Sequence, residues 1–94
     1  MILLQIEHKV PDFDGWKKAF DNDPIGRKKS NVKQHRIYRS VSDPNFVIID
    51  LEFNSVDDAN AALAALRLIW GKVEGKLIMG PQARILEIIE NTTY

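Results

Sequence analysis

Hydrophobic and polar residues alternate in two segments of the chain, and each segment is followed by one with helical spacing. In residues 2–10, Leu4, Ile6 and His8 fall on one side of an extended chain, and polar residues fall on the other. The run Phe46–Phe53 is more strongly apolar. The pattern predicts a strand followed by a helix, repeated once.

The two predicted helices begin at N-cap residues. Asp12 precedes a short helix whose aromatic residues recur at i, i+3 and i+7: Phe13, Trp16 and Phe20. Ser55 precedes a longer helix, and Asp58 stands three residues later as an aspartate variant of the capping box. The apolar stripe of this second helix comprises Ala59, Ala62, Leu63, Leu66, Ile69 or Trp70, and Val73.

Two further strands complete the pattern. Residues 32–41 form a second predicted strand, which the turn-like segment 42–45 joins to Phe46–Phe53 as a hairpin. A last strand is predicted over residues 82–89, after the breakers Gly80 and Pro81. The order is βαββαβ, so we expect one α+β domain over residues 1–94.

Composition narrows the class of function. The chain has 94 residues, with thirteen basic and thirteen acidic side chains. Because these charges cancel, no net positive charge attracts the protein to nucleic acid or to an anionic membrane. A chain of this length is often helped by association. There is no cysteine, which excludes thiolate chemistry and fits a reducing cytosol. The N-terminus lacks a signal-peptide pattern, and we expect a cytoplasmic protein.

One segment resembles an RNA-recognition motif. The stretch from Phe53 to Leu66 looks like that family's third strand and second helix. RNA binding there requires exposed aromatic platforms. The corresponding positions are Ile48 and Asp50, so we expect no nucleic-acid partner.

A second resemblance spans the whole chain. Its local cues are Val10–Phe20, Asp23–Arg27 and Val47–Phe53, which are similar to segments of the dimeric α+β barrel superfamily. That superfamily is ferredoxin-like and includes antibiotic-biosynthesis-type monooxygenases. The resemblance implies a four-stranded antiparallel sheet with two helices on one face, a homodimer, and a small-molecule cavity between sheet and helices. It also implies that aromatic substrates can be oxidised without a cofactor.

The hairpin register decides which polar groups face that cavity. If the turn pairs Val41 with Phe46, then Tyr38 and Arg36 lie on the helix-facing side together with His8. A one-residue bulge would place His35 and Arg39 there instead. We predict the first arrangement.

Each candidate residue has a functional and a structural interpretation. His8 is either a proton shuttle or a histidine satisfied by its surroundings. Tyr38 and Arg36 either orient a ligand or pack at the surface. Trp16, Trp70 and Phe20 either form a ligand wall or fill the core. Two histidines without paired spacing predict no metal site, and no phosphate-binding loop predicts a cofactor.

The sequence therefore predicts a homodimeric small-molecule-binding protein, with His8, Tyr38 and Arg36 as candidate catalytic residues. Trp16, Trp70 and Phe20 are the candidate pocket residues. Whether the chain is an enzyme is left open at this stage. The alternative is a non-enzymatic dimerisation domain.

Overall fold

Four strands form one antiparallel sheet, and two helices cover one of its faces. The computed structural model describes residues 1–94. Its elements in chain order are β1 (Ile2–Lys9), α1 (Phe13–Asp21), β2 (Gln34–Arg39), β3 (Phe46–Phe53), α2 (Val56–Val73) and β4 (Met79–Glu87). The order across the sheet is β2-β3-β1-β4, with every neighbouring pair antiparallel. The predicted βαββαβ order and the ferredoxin-like α+β fold are confirmed.

The core lies between the sheet and the helices because the central strands present alternate residues to the two faces. In β3, Val47 and Phe53 are fully buried, and the residues between the buried positions are only partly covered. Leu4 and Ile6 of β1 lie on the same buried face. Two small residues of α2, Ala59 and Ala62, are buried against this surface, which lets the helix lie close to the sheet.

Both helices begin at the predicted N-caps. The Asp12 carboxylate accepts a hydrogen bond from the backbone N–H of Gly15 at 3.1 Å. The Ser55 hydroxyl accepts one from the backbone N–H of Asp58, also at 3.1 Å. These contacts satisfy donors that the first helical turn leaves free. Neither helix is long and apolar enough to cross a membrane.

The predicted hairpin register is wrong by one residue. Arg39 pairs with Val47, and the backbone N–H of Ser40 bonds to the carbonyl of Phe46 at 3.0 Å. The loop therefore contains five residues, 41–45, where a four-residue turn was predicted. Asp43 stabilises it, because its side chain accepts from the N–H of Asn45 at 3.0 Å. Val41 is consequently expelled from the ladder and fully exposed.

The fourth strand begins earlier and ends earlier than predicted. It runs over Met79–Glu87, because the Gly80–Pro81 pair is accommodated inside the strand as a bulge. Gly80 has a φ of 61°, a left-handed conformation that suits glycine. The bulge lies opposite His8, the one residue between Glu7 and Lys9 without a partner in β4. Strand β2 is also shorter than the predicted 32–41.

The sheet face away from the helices carries a connected polar network. The Asp50 carboxylate accepts hydrogen bonds from the Gln5 amide at 3.0 Å and the Tyr38 hydroxyl at 2.6 Å. Arg84 donates to Gln5 at 2.6 Å and also bonds to Glu7. The same face carries partly exposed apolar residues: Leu3, Ile48 and Leu86. We call this surface the uncovered face.

Candidate functional site

A cavity of about 290 Å³ opens between the sheet and the two helices. This volume is near the lower end of the range of about 300–1,000 Å³ that is typical of sites for small organic ligands. Of the 17 residues that line it, 13 are hydrophobic, so it suits a mainly apolar molecule. The lining residues are Ile6, His8, Ile49 and Leu51 of the sheet, Trp16, Ala19 and Phe20 of α1, Asn22, Pro24, Ile25 and Arg27 of the following loop, and Leu66, Ile69, Trp70, Val73, Leu77 and Ile78 of α2 and the segment after it.

His8 is the only ionisable residue that the sheet contributes to the cavity. The side chain is 3 % exposed, and its Nδ1 atom is buried without a hydrogen-bond partner. Burial lowers the pKa of His8 from its ordinary value, and interactions with the backbone of residues 8 and 9 oppose this shift only in part. The imidazole is therefore neutral at neutral pH. An unsatisfied polar group inside a core is costly and calls for an explanation.

A row of aromatic rings leads from His8 to Arg27. The ring of Trp16 meets that of His8 edge-on, with centroids 5.6 Å apart. Phe20, one helical turn further along α1, lies 5.3 Å from Trp16. The guanidinium of Arg27 stacks over Phe20, 4.0 Å from its centroid. The row gives the cavity an aromatic wall with a neutral base at one end and a cation at the other.

Arg27 is held at the cavity by three contacts besides this stacking. Its Nη1 donates to the carbonyl of Phe20 at 2.9 Å, and its Nε lies 3.5 Å from Oδ1 of Asp23. The same Asp23 oxygen accepts from the backbone N–H of Arg27 at 2.8 Å. Asp23 itself has a φ of 55°, a left-handed conformation that aspartate tolerates better than most residues. The loop after α1 thus fixes the position of the guanidinium.

The structure brings together one predicted catalytic residue and all three predicted pocket residues. His8, Trp16, Phe20 and Trp70 line the same cavity. Trp16 is buried, and Trp70 is partly buried at the edge of the core. Their participation in ligand binding stays a prediction.

Tyr38 and Arg36 do not reach this cavity, and their predicted placement there is wrong. The one-residue shift in the hairpin pairs Tyr38 with Ile48 and Arg36 with Asp50, so both lie on the uncovered face. The Tyr38 hydroxyl bonds to Asp50, and this bond raises the pKa of Tyr38 above its ordinary value.

The register places His35 and Arg39 on the helix-facing side, as the bulged alternative described. Neither side chain lines the cavity. The His35 ring packs edge-on against Phe20, with centroids 5.2 Å apart, and Arg39 stacks over Phe13 at 4.6 Å. Burial and the neighbouring cations Arg27 and Lys17 lower the pKa of His35. His35 therefore supports the aromatic wall from behind.

Sequence reasoning missed the contribution of the loop after α1. Asn22 and Arg27 line the cavity, and neither was among the candidate site residues. One signal was present in the sequence: Asp23 and Arg27 are spaced by four residues, at which a carboxylate and a guanidinium meet in a turn. No group of three or more potential metal ligands is present.

Comparison with known proteins identifies the fold. A variant of SnoaB, a cofactor-independent oxygenase from Streptomyces nogalater, superposes with a TM-score of 0.76 at 12% identity over 96% of this chain and 94% of that one. A provisionally assigned antibiotic biosynthesis monooxygenase from Deinococcus radiodurans gives 0.73 at 8% identity over 100% and 98%. A variant of MhuD with two manganese protoporphyrin IX molecules bound per active site gives 0.69 at 17% identity over 100% of both chains.

No known family profile matches the sequence, and no curated protein matches it. The structural likeness nevertheless covers nearly the whole chain. The protein therefore has the ferredoxin-like fold of the antibiotic biosynthesis monooxygenase structures. The predicted resemblance is confirmed at the level of the fold.

The cavity does not fit a porphyrin of the kind bound to MhuD. The volume of about 290 Å³ is near the lower end of the range for small organic ligands, and a tetrapyrrole is much larger than such a ligand. The single lining histidine, His8, is a buried residue of the core. The residues present suit a smaller ligand.

Proposed function

We propose that this protein binds a small hydroxylated aromatic molecule in the cavity between sheet and helices and oxidises it without a cofactor. The observation that carries the proposal is a neutral, buried histidine in an otherwise apolar cavity with an aromatic wall. A core histidine with an unpaired Nδ1 reduces stability relative to an apolar residue, which is typical of a residue retained for function. The fold shared with the cofactor-independent oxygenase SnoaB supports the same proposal.

The chemistry follows from the two properties of the cavity. His8 is neutral, so a ring nitrogen can accept the proton of the ligand hydroxyl. The resulting phenolate transfers one electron to O₂, the aryloxyl radical and superoxide combine at a ring carbon to a peroxide anion, and His8 returns its proton to give the hydroperoxide. Loss of water from this peroxide gives a quinone, so the substrate supplies all the electrons. For 1-naphthol the balance is naphthol plus O₂ giving 1,4-naphthoquinone plus water. The apolar walls exclude bulk water from the reacting anion.

The test is turnover of 1-naphthol by metal-free protein under ¹⁸O₂. We expect 1,4-naphthoquinone carrying one labelled oxygen, with the second label in water. His8→Gln should lower the rate at least about 100-fold, since general-base catalysis contributes about 10²–10⁴. His35→Gln is the matched control, because His35 lies behind the aromatic wall and does not line the cavity.

Circular dichroism of the His8→Gln protein establishes that it remains folded. Retention of full activity by that variant would contradict the role of His8. Binding without turnover would reduce the proposal to a ligand-binding protein. Absence of binding across hydroxylated aromatics of this size would favour the alternative, a non-enzymatic dimerisation domain.

We further propose that two copies of the chain associate through the uncovered face. Its polar groups already bond to one another through Asp50, Gln5 and Arg84, so the face can be buried without leaving them unpaired. The partly exposed Leu3, Ile48 and Leu86 supply apolar area for the contact. Ile48 and Asp50, where an RNA-binding sheet would carry aromatic platforms, are not aromatic, which supports the expectation of no nucleic-acid partner. A cytoplasmic location remains part of this proposal.

A further inference from the structure

We infer that the ligand of the cavity is an aromatic carboxylate, bound through its carboxylate group by Arg27. This inference rests on the proposed binding function and adds a ligand class and a specificity-determining residue. It is independent of the oxidation step, because it concerns only what the cavity holds.

The charges around the cavity favour an anion. Arg27 is the only lining residue with a permanent charge, and no aspartate or glutamate lines the cavity. His8, the other ionisable residue, is neutral. A ligand carboxylate would therefore meet one cation and no opposing charge, and a cationic ligand would find no partner.

Arg27 retains hydrogen-bonding capacity for a ligand. A guanidinium has five N–H donors in a planar fork. The protein uses Nη1 for the carbonyl of Phe20 and Nε for Asp23, and Nη2 makes no hydrogen bond within the chain. The side chain is only 18% exposed, so solvent screens the interaction weakly. A charge-assisted bond to a carboxylate at this position is among the stronger interactions available to a protein.

The aromatic row aligns the ligand. Aromatic rings lie between His8 and Arg27: the Trp16 centroid is 5.6 Å from that of His8 and 5.3 Å from that of Phe20, and the Arg27 Cζ is 4.0 Å from the Phe20 centroid. A flat aromatic core can pack along this wall with its acidic group at Arg27 and its opposite end toward His8.

Asp23 is the carboxylate paired with Arg27, and its negative charge weakens the attraction between Arg27 and a ligand carboxylate. It lies 3.5 Å from the Nε of Arg27, but its side chain is 37% exposed and does not line the cavity. Water therefore screens Asp23 more than it screens Arg27. Asp23→Asn keeps an oxygen that can accept from the backbone N–H of Arg27, and asparagine also tolerates the left-handed conformation. We expect this variant to bind the anion more tightly.

The test compares 1-naphthoate with 1-naphthamide by isothermal titration calorimetry at neutral pH. The two probes share ring system and shape, and they differ in charge at the carbonyl group. The wild-type protein should bind naphthoate about tenfold or more tightly than naphthamide, as expected for one charge-assisted hydrogen bond.

Arg27→Gln should abolish this preference, lowering naphthoate affinity about tenfold and leaving naphthamide affinity within about twofold. The substitution should preserve the turn, because the Asp23 carboxylate also accepts a hydrogen bond from the backbone N–H of residue 27, which every side chain at this position retains. Lys29→Gln is the matched control, since Lys29 lies in the same loop, is exposed and does not line the cavity.

The outcomes separate this inference from the proposed function. Equal or tighter binding of naphthamide by the wild-type protein would overturn the role of Arg27 and leave the cavity as a binding site. A tenfold preference that persists in Arg27→Gln, or disappears in Lys29→Gln, would assign anion binding elsewhere. Binding of neither probe by a protein that still binds 1-naphthol would overturn the inference alone, and loss of 1-naphthol binding as well would overturn the proposed function.

Discussion

At the scale of single residues, His8 unites the unusual features of the cavity. It is buried, its Nδ1 has no partner, and it adjoins a bulge in the sheet opposite Gly80 and Pro81. β-bulges occur often beside functional sites, where they redirect a side chain. The neighbouring residues on the same face of β1, Leu4 and Ile6, are ordinary core residues.

Replacing His8 with phenylalanine should remove function and leave stability intact. A phenyl ring fills similar space and eliminates the unpaired nitrogen, so we expect the free energy of unfolding in urea to stay equal or rise by up to about 1 kcal/mol. Leu4→Ala is the control for sensitivity, with an expected loss of about 2–5 kcal/mol. A loss of similar size in His8→Phe would show that the imidazole has a structural role instead.

Stability should also depend on the protonation of His8. The folded-state pKa is below the ordinary value of 6.5, so at mildly acidic pH the unfolded chain binds more protons than the folded one. The contribution of neutral His8 to the free energy of unfolding should therefore be fully present above about pH 6.5. It should decrease as the pH falls through 6.5 toward the folded-state pKa. His35 shifts in the same direction and contributes to the same slope.

Urea unfolding at a series of pH values measures this slope, and NMR titration of the two imidazoles assigns it. His8→Phe should flatten the dependence in part, leaving the contribution of His35. A pKa of His8 above 6.5 in the folded protein would reverse the expected sign.

At the scale of elements, the hairpin between β2 and β3 determines which side chains enter the site. Ser40 bonds to Phe46, so Val41 belongs to the loop. That single residue places Tyr38 and Arg36 on the uncovered face and His35 on the helix-facing side. Pairing register has this effect because side chains alternate with a period of two.

The register predicts that Val41→Lys is tolerated. Val41 is fully exposed, so the midpoint of urea unfolding should not change within error. The matched comparison is Val47→Lys, which places a charge at a fully buried position of the adjacent strand and should prevent folding or lower the midpoint strongly. A strong loss in Val41→Lys would support the register in which Val41 pairs with Phe46.

The elements predicted with the correct bounds are those with strong local signals. Strand Phe46–Phe53 alternates without interruption, and Asp12 and Ser55 supply side chains that cap helices directly. The loop length between β2 and β3 was not predictable in this way, because four-residue and five-residue turns share the same composition of Ser, Asp, Pro and Asn. Strand β4 was placed too late because Gly80 and Pro81 were interpreted as a break, whereas a bulge accommodates them.

At the scale of the whole molecule, the two faces of the sheet carry different groups of residues. The helix-facing side holds the core and the cavity, and the uncovered face holds the network around Asp50. The aromatic residues of the cavity could be predicted from their helical spacing on α1 and α2. The position of Arg27 could not, because it depends on the path of the loop between α1 and β2.

Association through the uncovered face predicts that Ile48→Arg dissociates the protein. Ile48 lies on that face, so the substitution would place one arginine from each chain, two in all, inside the apolar part of the contact. Sedimentation equilibrium should report a dimer for the wild-type chain and a monomer for the variant. Leu68→Arg is the control, since Leu68 is 74% exposed on α2 and away from this face, and it should remain a dimer. A monomeric wild-type chain would contradict the proposed association.

The most direct test of the cavity as the ligand site is the measurement of intermolecular NOEs between 1-naphthol and the methyl groups of labelled protein. The account predicts NOEs from the ring protons to Ile49, Leu66 and Ile78, which line the cavity. NOEs confined to Leu3, Ile48 and Leu86 would place the ligand on the uncovered face and contradict the account.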